Sequence, residues 1–600
     1  MKQRVADYIA DFFVKNNITD VFTVTGGGAM HLNDAFGHHQ KIRCIYNHHE
    51  QACAIAAEAY ARYSRNIAAV CVTSGPGGTN ALTGVLGGWL DSIPMFIVSG
   101  QVKYSTTIKS TRLPLRQLGD QEFNITDCVK AMTKFVQMII NPEDVAYLFE
   151  KALFIAKHGR PGPVWIDVPL NVQGATIETD SLRHYDAAED SKENAPVFML
   201  KQADEIIERI KKAHRPVIFA GEAIRSSGAY EKFIELIDKL NIPVVTAWNA
   251  HDALWNEHPL FCGRPGTVGT RGGNFVTQYS DLLFVLGCRL NIRQISYNWE
   301  NFAPSAYKIM VDIDSAELIK PTLKIDMPIN ADVKDVIDVL EKKVVKDNQH
   351  DRWVSWCRSI DRKYPACEKS FYKKDTPVNP YVFMDKLFHN LSEGDAVITG
   401  NGSACVCSFQ AAYIKKNQRL FTNSGCASMG YGLPAALGVS INRNGERVIC
   451  LEGDGSLQMN IQELQTIIYN KLNVKLFVLN NNGYHSIRQT QTNLFKQPLC
   501  GVCDGCGLSF PNLEKLATAY GFPYMKIDKV KDTDEKINQA LALEGSIIVE
   551  VILDPEQIFS PKLSSKKLPD GTMVSPTLED MYPFLPEEEM KNNREEAMSI

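Results

Sequence analysis

The chain has 600 residues, more than one hydrophobic core can organise, and a prior of about 150 residues per domain points to three or four units. Hydrophobic content of 44% and charged content of 22% are ordinary for a globular protein, and a net charge of −5 gives no electrostatic reason to expect nucleic acid or an anionic membrane surface. No apolar run reaches the roughly 18 residues that a bilayer span requires, so neither nucleic acid nor membrane is expected as a partner.

The N-terminal stretch carries Asp7 and Asp11 where a secretory signal would be continuously apolar, and it reads as an amphipathic helix. Residues 20–25, 68–73, 95–99 and 164–168 then read as buried strands separated by helical stretches, the grammar of a parallel sheet covered by helices. Residues 180–195 are polar and acidic without hydrophobic periodicity and read as a linker. A second block has strands at 217–220, Leu282–Leu286 and 308–313, and charged stretches at 342–352 and 373–379 set it apart from a third. There the strand candidates are Ala396–Thr399, 448–452, 474–479 and 546–551. The tail beyond Pro555 is rich in Pro, Lys and Glu and reads as a cover or arm. The fifteen cysteines, an odd number, lie mostly inside apolar runs such as Ala69–Val72, as buried free thiols do, and point to a reducing cytoplasm.

The third block holds the most informative segment. Residues 448–452 run straight into the turn Gly453-Asp454-Gly455-Ser456. Residues 460–470 follow with Ile461, Leu464, Ile467 and Ile468 at helical spacing, and the strand 474–479 ends at Asn480-Asn481-Asn482-Gly483. A strand–helix–strand unit of this length lays its strands side by side and parallel. Asp454 and Asn481 therefore emerge at one carboxyl edge, where ligands of open α/β sheets bind. The Asp454 carboxylate, the Asn481 amide oxygen and the Gly483 carbonyl are hard ligands suited to Mg²⁺, which takes its remaining positions from water and phosphate oxygens. The Gly-Asp-Gly-Ser turn also aims backbone N–H groups at an anion, with glycine at 453 and 455 allowing close approach. Alone, each segment also reads as a plain turn; paired at two neighbouring strand tips, they read as a site.

With 24 residues between Gly455 and Asn480, this pattern resembles the thiamine-diphosphate motif of the pyruvate-decarboxylase and acetolactate-synthase superfamily. The resemblance spans residues 1–555. It recurs in order as His49-Glu50-Gln51, Thr73-Ser74-Gly75-Pro76-Gly77-Gly78-Thr79-Asn80, Asp91-Ser92-Ile93-Pro94 and Gly430-Tyr431-Gly432-Leu433-Pro434. It implies an α/β fold of three doubly wound parallel-sheet domains: pyrimidine-binding (1–180), central (195–345) and diphosphate-binding (365–555), with a C-terminal arm (556–600). It implies a homodimer or homotetramer with active sites at the subunit interface.

The same resemblance assigns Glu50 to the cofactor's pyrimidine nitrogen, where proton sharing favours the imino tautomer that deprotonates the thiazolium carbon. It sets Gly28, beside Gly27, and Gln121 around the reacting carbon. Met429 would prop the cofactor in its bent shape, and the Ala427 carbonyl would accept from its exocyclic nitrogen. Gly402, Ser403, Gly453, Gly455 and Ser456 would hold the diphosphate, with Ile487 against the cofactor. His48 and His49 have no firm precedent and stand as helix-entry residues. The implied reaction decarboxylates a 2-keto acid, pyruvate first among them, and adds the two-carbon unit to a second carbonyl. A decarboxylase releasing an aldehyde is the alternative.

Three features complicate the resemblance. Arg289 and Arg293, with Asp312-Ile313-Asp314, match a segment that binds FAD in acetolactate synthases, yet Asn291 and Ile292 stand where acidic residues are usual. FAD without a redox step is expected there, beside the alternative of an empty or repurposed pocket. Thr490 replaces a tryptophan that narrows the acceptor site, Asp120 replaces a phenylalanine, and a lengthened segment between Gln101 and Gln121 carries Lys103, Lys109, Arg112 and Arg116. A wider, more polar mouth fits an acceptor larger than pyruvate, such as a nucleotide-linked keto sugar; a solvated basic loop is the plainer reading. Finally, Cys500, Cys503 and Cys506 have metal-like spacing without an evident fourth ligand.

Overall fold

Strands that are apolar along both faces need cover on both sides, and a parallel sheet sandwiched between helices supplies it. The computed structural model, which describes residues 1–190, 198–495, 497–567 and 570–600, contains three such sheets. The first uses β1 (Asp20–Thr23), β2 (Arg43–Tyr46), β3 (Ala69–Val72), β4 (Met95–Gln101), β5 (Phe135–Met138) and β6 (Pro163–Pro169) in the order β2-β1-β3-β4-β6-β5. The second uses β7 (Pro216–Ala220), β8 (Val244–Thr246), β9 (Leu282–Leu286), β10 (Tyr307–Asp312) and β11 (Met327–Asn330) in the order β8-β7-β9-β10-β11. The third uses β12 (Ala396–Thr399), β13 (Arg419–Phe421), β14 (Val448–Gly453), β15 (Val474–Asn480), β16 (Tyr524–Ile527) and β17 (Ile547–Ile552), ordered β13-β12-β14-β15-β17-β16. The first and third sheets thus share one strand order, and every pairing in the three sheets is parallel.

The strands read from sequence all form, within one or two residues, and the three parallel sheets hold six more, β2, β5, β8, β11, β13 and β16, beside a short antiparallel pair of Lys2–Arg4 with Thr176–Glu178. The helix expected over 460–470 is shorter, Glu463–Tyr469, because the chain first winds a separate turn, Asp454–Leu457, directly off β14. Of the stretch read as a linker, residues 191–195 lie outside the described residues; 180–190 contain the short turns Thr179–Ser181 and Ala187–Glu189. The tail forms a small antiparallel pair, Lys566–Lys567 with Met573–Val574, and the helix Glu587–Met598. It lies on the second sheet's helices: Asn274 donates to the Leu578 carbonyl (2.9 Å), Arg271 to that of Pro583 (2.7 Å), and Tyr364 to Glu589 (2.6 Å).

The first and third sheets meet through two small-residue helices, Glu50–Ser64 and Gly432–Asn442. A Cβ on Gly438 would stand 2.1 Å from the Ala56 carbonyl oxygen, so only glycine permits this approach. A buried ionic cluster sits at the same junction. Arg62 pairs with Glu58 and, at 2.7 Å, with Asp91, while Tyr431 donates to Glu58 at 2.8 Å. Asp91 also accepts from Gly425 N–H (3.0 Å) and Asn249 (3.2 Å), tying all three sheet units together. Among the described residues no helix is long and apolar enough to cross a membrane.

Candidate active site

Two clusters of the expected residues form at the carboxyl edges of the first and third sheets. In the third, β14 and β15 are adjacent and parallel, with Gly453 in register with Leu479, so Asp454 and Asn481 leave the sheet side by side. Asp454 is buried and accepts from Gly455 N–H and Gly483 N–H, both at 2.9 Å. Burial pushes its carboxyl up to about 6, against the pull of those donors. Asn481 donates to Ser403 Oγ at 3.1 Å, while its Oδ1 is buried with no hydrogen-bond partner among the described residues. A buried amide oxygen without a donor costs free energy unless a ligand satisfies it. Among the described residues the Gly483 carbonyl accepts only from His485 N–H (3.1 Å), which leaves a lone pair for a ligand. One buried carboxylate, one unmatched amide oxygen and one half-used carbonyl are a donor set that fits Mg²⁺.

Around this set the backbone is shaped for an anion. Gly402 (φ 75°) opens the helix Ser403–Ala411, whose first N–H groups face the same edge. Ser456 Oγ accepts from Gly430 N–H at 2.7 Å, fixing Gly430 beside the Asp454 turn. A Cβ on Gly455 would stand 2.5 Å from the Tyr484 ring. Ala427 holds a positive φ of 54°, and among the described residues its carbonyl accepts no hydrogen bond. Met429 and Ile487 are exposed, 38% and 52%, beside these groups.

In the first sheet, Glu50 begins its helix, is 8% exposed and accepts from Asn80 Nδ2 at 2.9 Å. Its Oε1 lies 3.5 Å from the Cβ position of Gly77, which in turn lies against Thr73; Thr73 Oγ1 accepts from Gly28 N–H at 3.0 Å. The Gln121 carbonyl sits 2.6 Å from the Cβ position of Gly75, with Gln121 at a φ of 60° and its side chain exposed. Glu50, Gly28 and Gln121 therefore converge on the Thr73–Asn80 turn. His49 caps the Glu50 helix by accepting from Gln51 N–H.

Among the described residues no hydrogen bond joins the Glu50 cluster to the Asp454 cluster within one chain. Polar ties between these two units include Glu463, which accepts from Asn47 (2.8 Å) and His48 N–H (3.0 Å), Tyr431 with Glu58, and Asp91 with Gly425 N–H. Sequence reasoning missed Asn80, Glu463 and Glu452. Glu452 is fully buried, accepts from Gly432 N–H (2.7 Å) and Gly453 N–H (3.1 Å), and is pushed up to about 7 by burial. No periodicity marks these three; only their fold neighbours do.

Arg289 and Asp312 line a cavity of about 130 Å³ between the first and second units, with Arg160 bridging it to Asp314 (2.8 Å) and Glu317 (3.1 Å). Arg293 lies outside its lining, 4.8 Å over the Trp248 ring, and Asn291 caps a helical turn by accepting from Gln294 N–H. Drug-sized ligands occupy roughly 300–1,000 Å³. By itself this cavity is smaller than that, although Pro161, Glu222 and Ser226 also line an adjoining cavity of about 420 Å³. Lys103, Lys109, Arg112 and Arg116 are exposed on the 102–120 segment, as are Asp120 and Thr490.

Three family models match the chain in order: the N-terminal TPP binding domain of thiamine pyrophosphate enzymes over residues 3–123, their central domain over 203–340 and their C-terminal TPP binding domain over 400–551. The acetolactate synthase isozyme 1 large subunit of Escherichia coli (strain K12) is 30% identical over 561 residues, covering 93% of this chain and 95% of that protein. The acetolactate synthase large subunit of Buchnera aphidicola subsp. Schizaphis graminum is 31% identical, with 93% and 96% covered; that of Cyanidium caldarium is 29% identical, with 93% and 94% covered.

Proposed function

The chain belongs to the thiamine pyrophosphate (thiamine diphosphate) enzymes as an acetolactate-synthase-like carboligase, and we propose that it joins a two-carbon unit from pyruvate to a carbonyl acceptor larger than pyruvate. The observation that carries the site assignment is the unmatched, buried Asn481 Oδ1 beside the Asp454 carboxylate. Asp454, Asn481 and the Gly483 carbonyl hold Mg²⁺. Gly402, Ser403, Gly453, Gly455 and Ser456 bind the diphosphate through backbone N–H and hydroxyl groups, which a helix N-terminus favours. Thiamine diphosphate, when bound, supplies the electron sink for negative charge left at the carbonyl carbon by loss of CO₂.

Glu50, oriented by Asn80, shares a proton with the pyrimidine ring and sets its tautomer. The Ala427 carbonyl accepts from the ring's exocyclic nitrogen, Met429 and Ile487 exclude water along it, and Gly28 and Gln121 border the reacting carbon. The Glu50 and Asp454 clusters stand on the carboxyl edges of two different sheets, an arrangement consistent with a homo-oligomer whose second copy completes each site. A reducing cytoplasm fits the free cysteines. The central cavity better suits the empty or repurposed pocket than FAD.

A large acceptor is supported by the exposed basic segment 102–120, anchored next to the Glu50 cluster through Gln121, and by exposed Thr490. An anionic, nucleotide-linked keto sugar matches that charge. Incubation with pyruvate alone, then with pyruvate and bulky anionic ketones, followed by product analysis, tests it. The expected product is a carbon–carbon adduct of the bulky ketone. Efficient acetolactate formation with no gain from such ketones contradicts the large acceptor, and acetaldehyde alone favours the simple decarboxylase.

A further inference from the structure

The segment after the Gly483 turn carries thiols that the cofactor site does not use. Gly501, Gly505 and Gly507 take φ values of 64°, 77° and 103°, folding residues 500–507 into a tight reversal that glycine adopts without strain. The reversal brings the sulfurs of Cys503 and Cys506 to 3.0 Å. It also sets the Cys506 sulfur against the N–H groups of Cys503 (2.9 Å) and Val502 (3.2 Å), while the protonated thiol donates to the Cys503 carbonyl (2.9 Å). Donors aimed at one sulfur favour its anionic form, the species that attacks a disulfide. Both thiols are partly exposed, unlike Cys53, Cys71 or Cys450 in the core. The metal reading of this motif finds no support: among the described residues no group of three or more His, Cys, Asp or Glu is placed to hold an ion.

The same reversal leans on the third-sheet cluster. The Val502 carbonyl accepts from Tyr484 N–H at 2.8 Å and lies 2.2 Å from the Cβ position of Gly483. The Tyr484 ring in turn fills the space beside Gly455. We propose that Cys503 and Cys506 are a redox-modified dithiol whose disulfide displaces Val502 and loosens the hold of the Asp454–Asn481–Gly483 set on the magnesium diphosphate. The coupling rests on the functional reading above; the thiol chemistry does not. The oxidant is a small-molecule disulfide such as oxidised glutathione. The Cys506 thiolate attacks one of its sulfurs and expels one glutathione thiolate. The Cys503 sulfur, giving its proton to water, then attacks the Cys506 sulfur and expels the second. The protein loses two hydrogens, and the oxidant is reduced to two thiols.

The full chain is equilibrated in reduced or oxidised glutathione, trapped with N-ethylmaleimide and digested, and the peptide holding residues 500–507 is weighed. Thiamine diphosphate affinity with Mg²⁺ is measured calorimetrically on the same samples. In oxidised buffer the peptide is expected to be two hydrogens lighter and alkylated only at Cys500, and dithiothreitol restores both thiols. Cofactor binding weakens about tenfold on oxidation, whereas Cys503→Ser and Cys506→Ser keep the reduced protein's affinity in both buffers. Full alkylation in oxidised buffer, stoichiometric zinc that blocks alkylation, or a disulfide through Cys500 overturns the dithiol. A Cys503–Cys506 disulfide that leaves affinity unchanged overturns the coupling. If the disulfide forms but neither state binds the cofactor, the functional reading fails and the dithiol stands.

Discussion

At Glu50 a single carboxylate is separated by function from the groups that bind. It stands on the first sheet's edge with Asn80, while the residues proposed to hold the metal and diphosphate stand on the third. Glu50→Gln is therefore expected to lower kcat by about 10²–10⁴-fold with little change in thiamine diphosphate affinity, a split that steady-state kinetics and calorimetry resolve together. His251 shows a different use of burial. Its ring is fully enclosed, packs tilted against Phe409 with centroids 3.9 Å apart and contacts the Trp248 carbonyl at 2.6 Å. Burial, aided by Arg264 and opposed by Asp252, drives its pKa from 6.5 down to about 3. A depressed folded-state value means stability that is present above pH 6.5 and lost as pH falls toward 3, at about 1.4 kcal/mol per pH unit. Denaturant melts at pH 7.5 and 5.5 are expected to show this loss, and His251→Gln to reduce it.

The helix Glu50–Ser64 serves two ends at once. Its first residue enters the site, and its last turn places Arg62 between Glu58 and Asp91, all three buried. Removing one partner of a buried ion pair strands the other charge, so Arg62→Leu is expected to cost about 3–5 kcal/mol, read as a lower denaturation midpoint. What was legible in the sequence follows from such elements. Central strands such as β14 and β15, apolar on both faces and ending in glycine-rich turns, announce the fold and bring the candidate metal ligands to one edge. The edge strands did not. β2 buries only Ile45 among its four residues, and β8 and β13 are three residues long, too short for a periodic signal. Asn80, Glu452 and Glu463 were likewise invisible, because their roles depend on partners brought close only by the fold.

Across the whole molecule, Asp91 joins the three units and the first and third sheets repeat one strand order, so two similar halves present their carboxyl edges with complementary equipment. In the proposed site one edge offers the acid and the other the cation and phosphate cradle. The central claim is that the tips of β14 and β15 bind thiamine diphosphate through Mg²⁺. Isothermal titration of thiamine diphosphate into the full chain, with Mg²⁺ and with chelator, tests it most directly. Binding should require Mg²⁺ and weaken by about 10–100-fold or more in Asp454→Ala and Asn481→Ala; equal binding in chelator, or in both variants, would contradict the account.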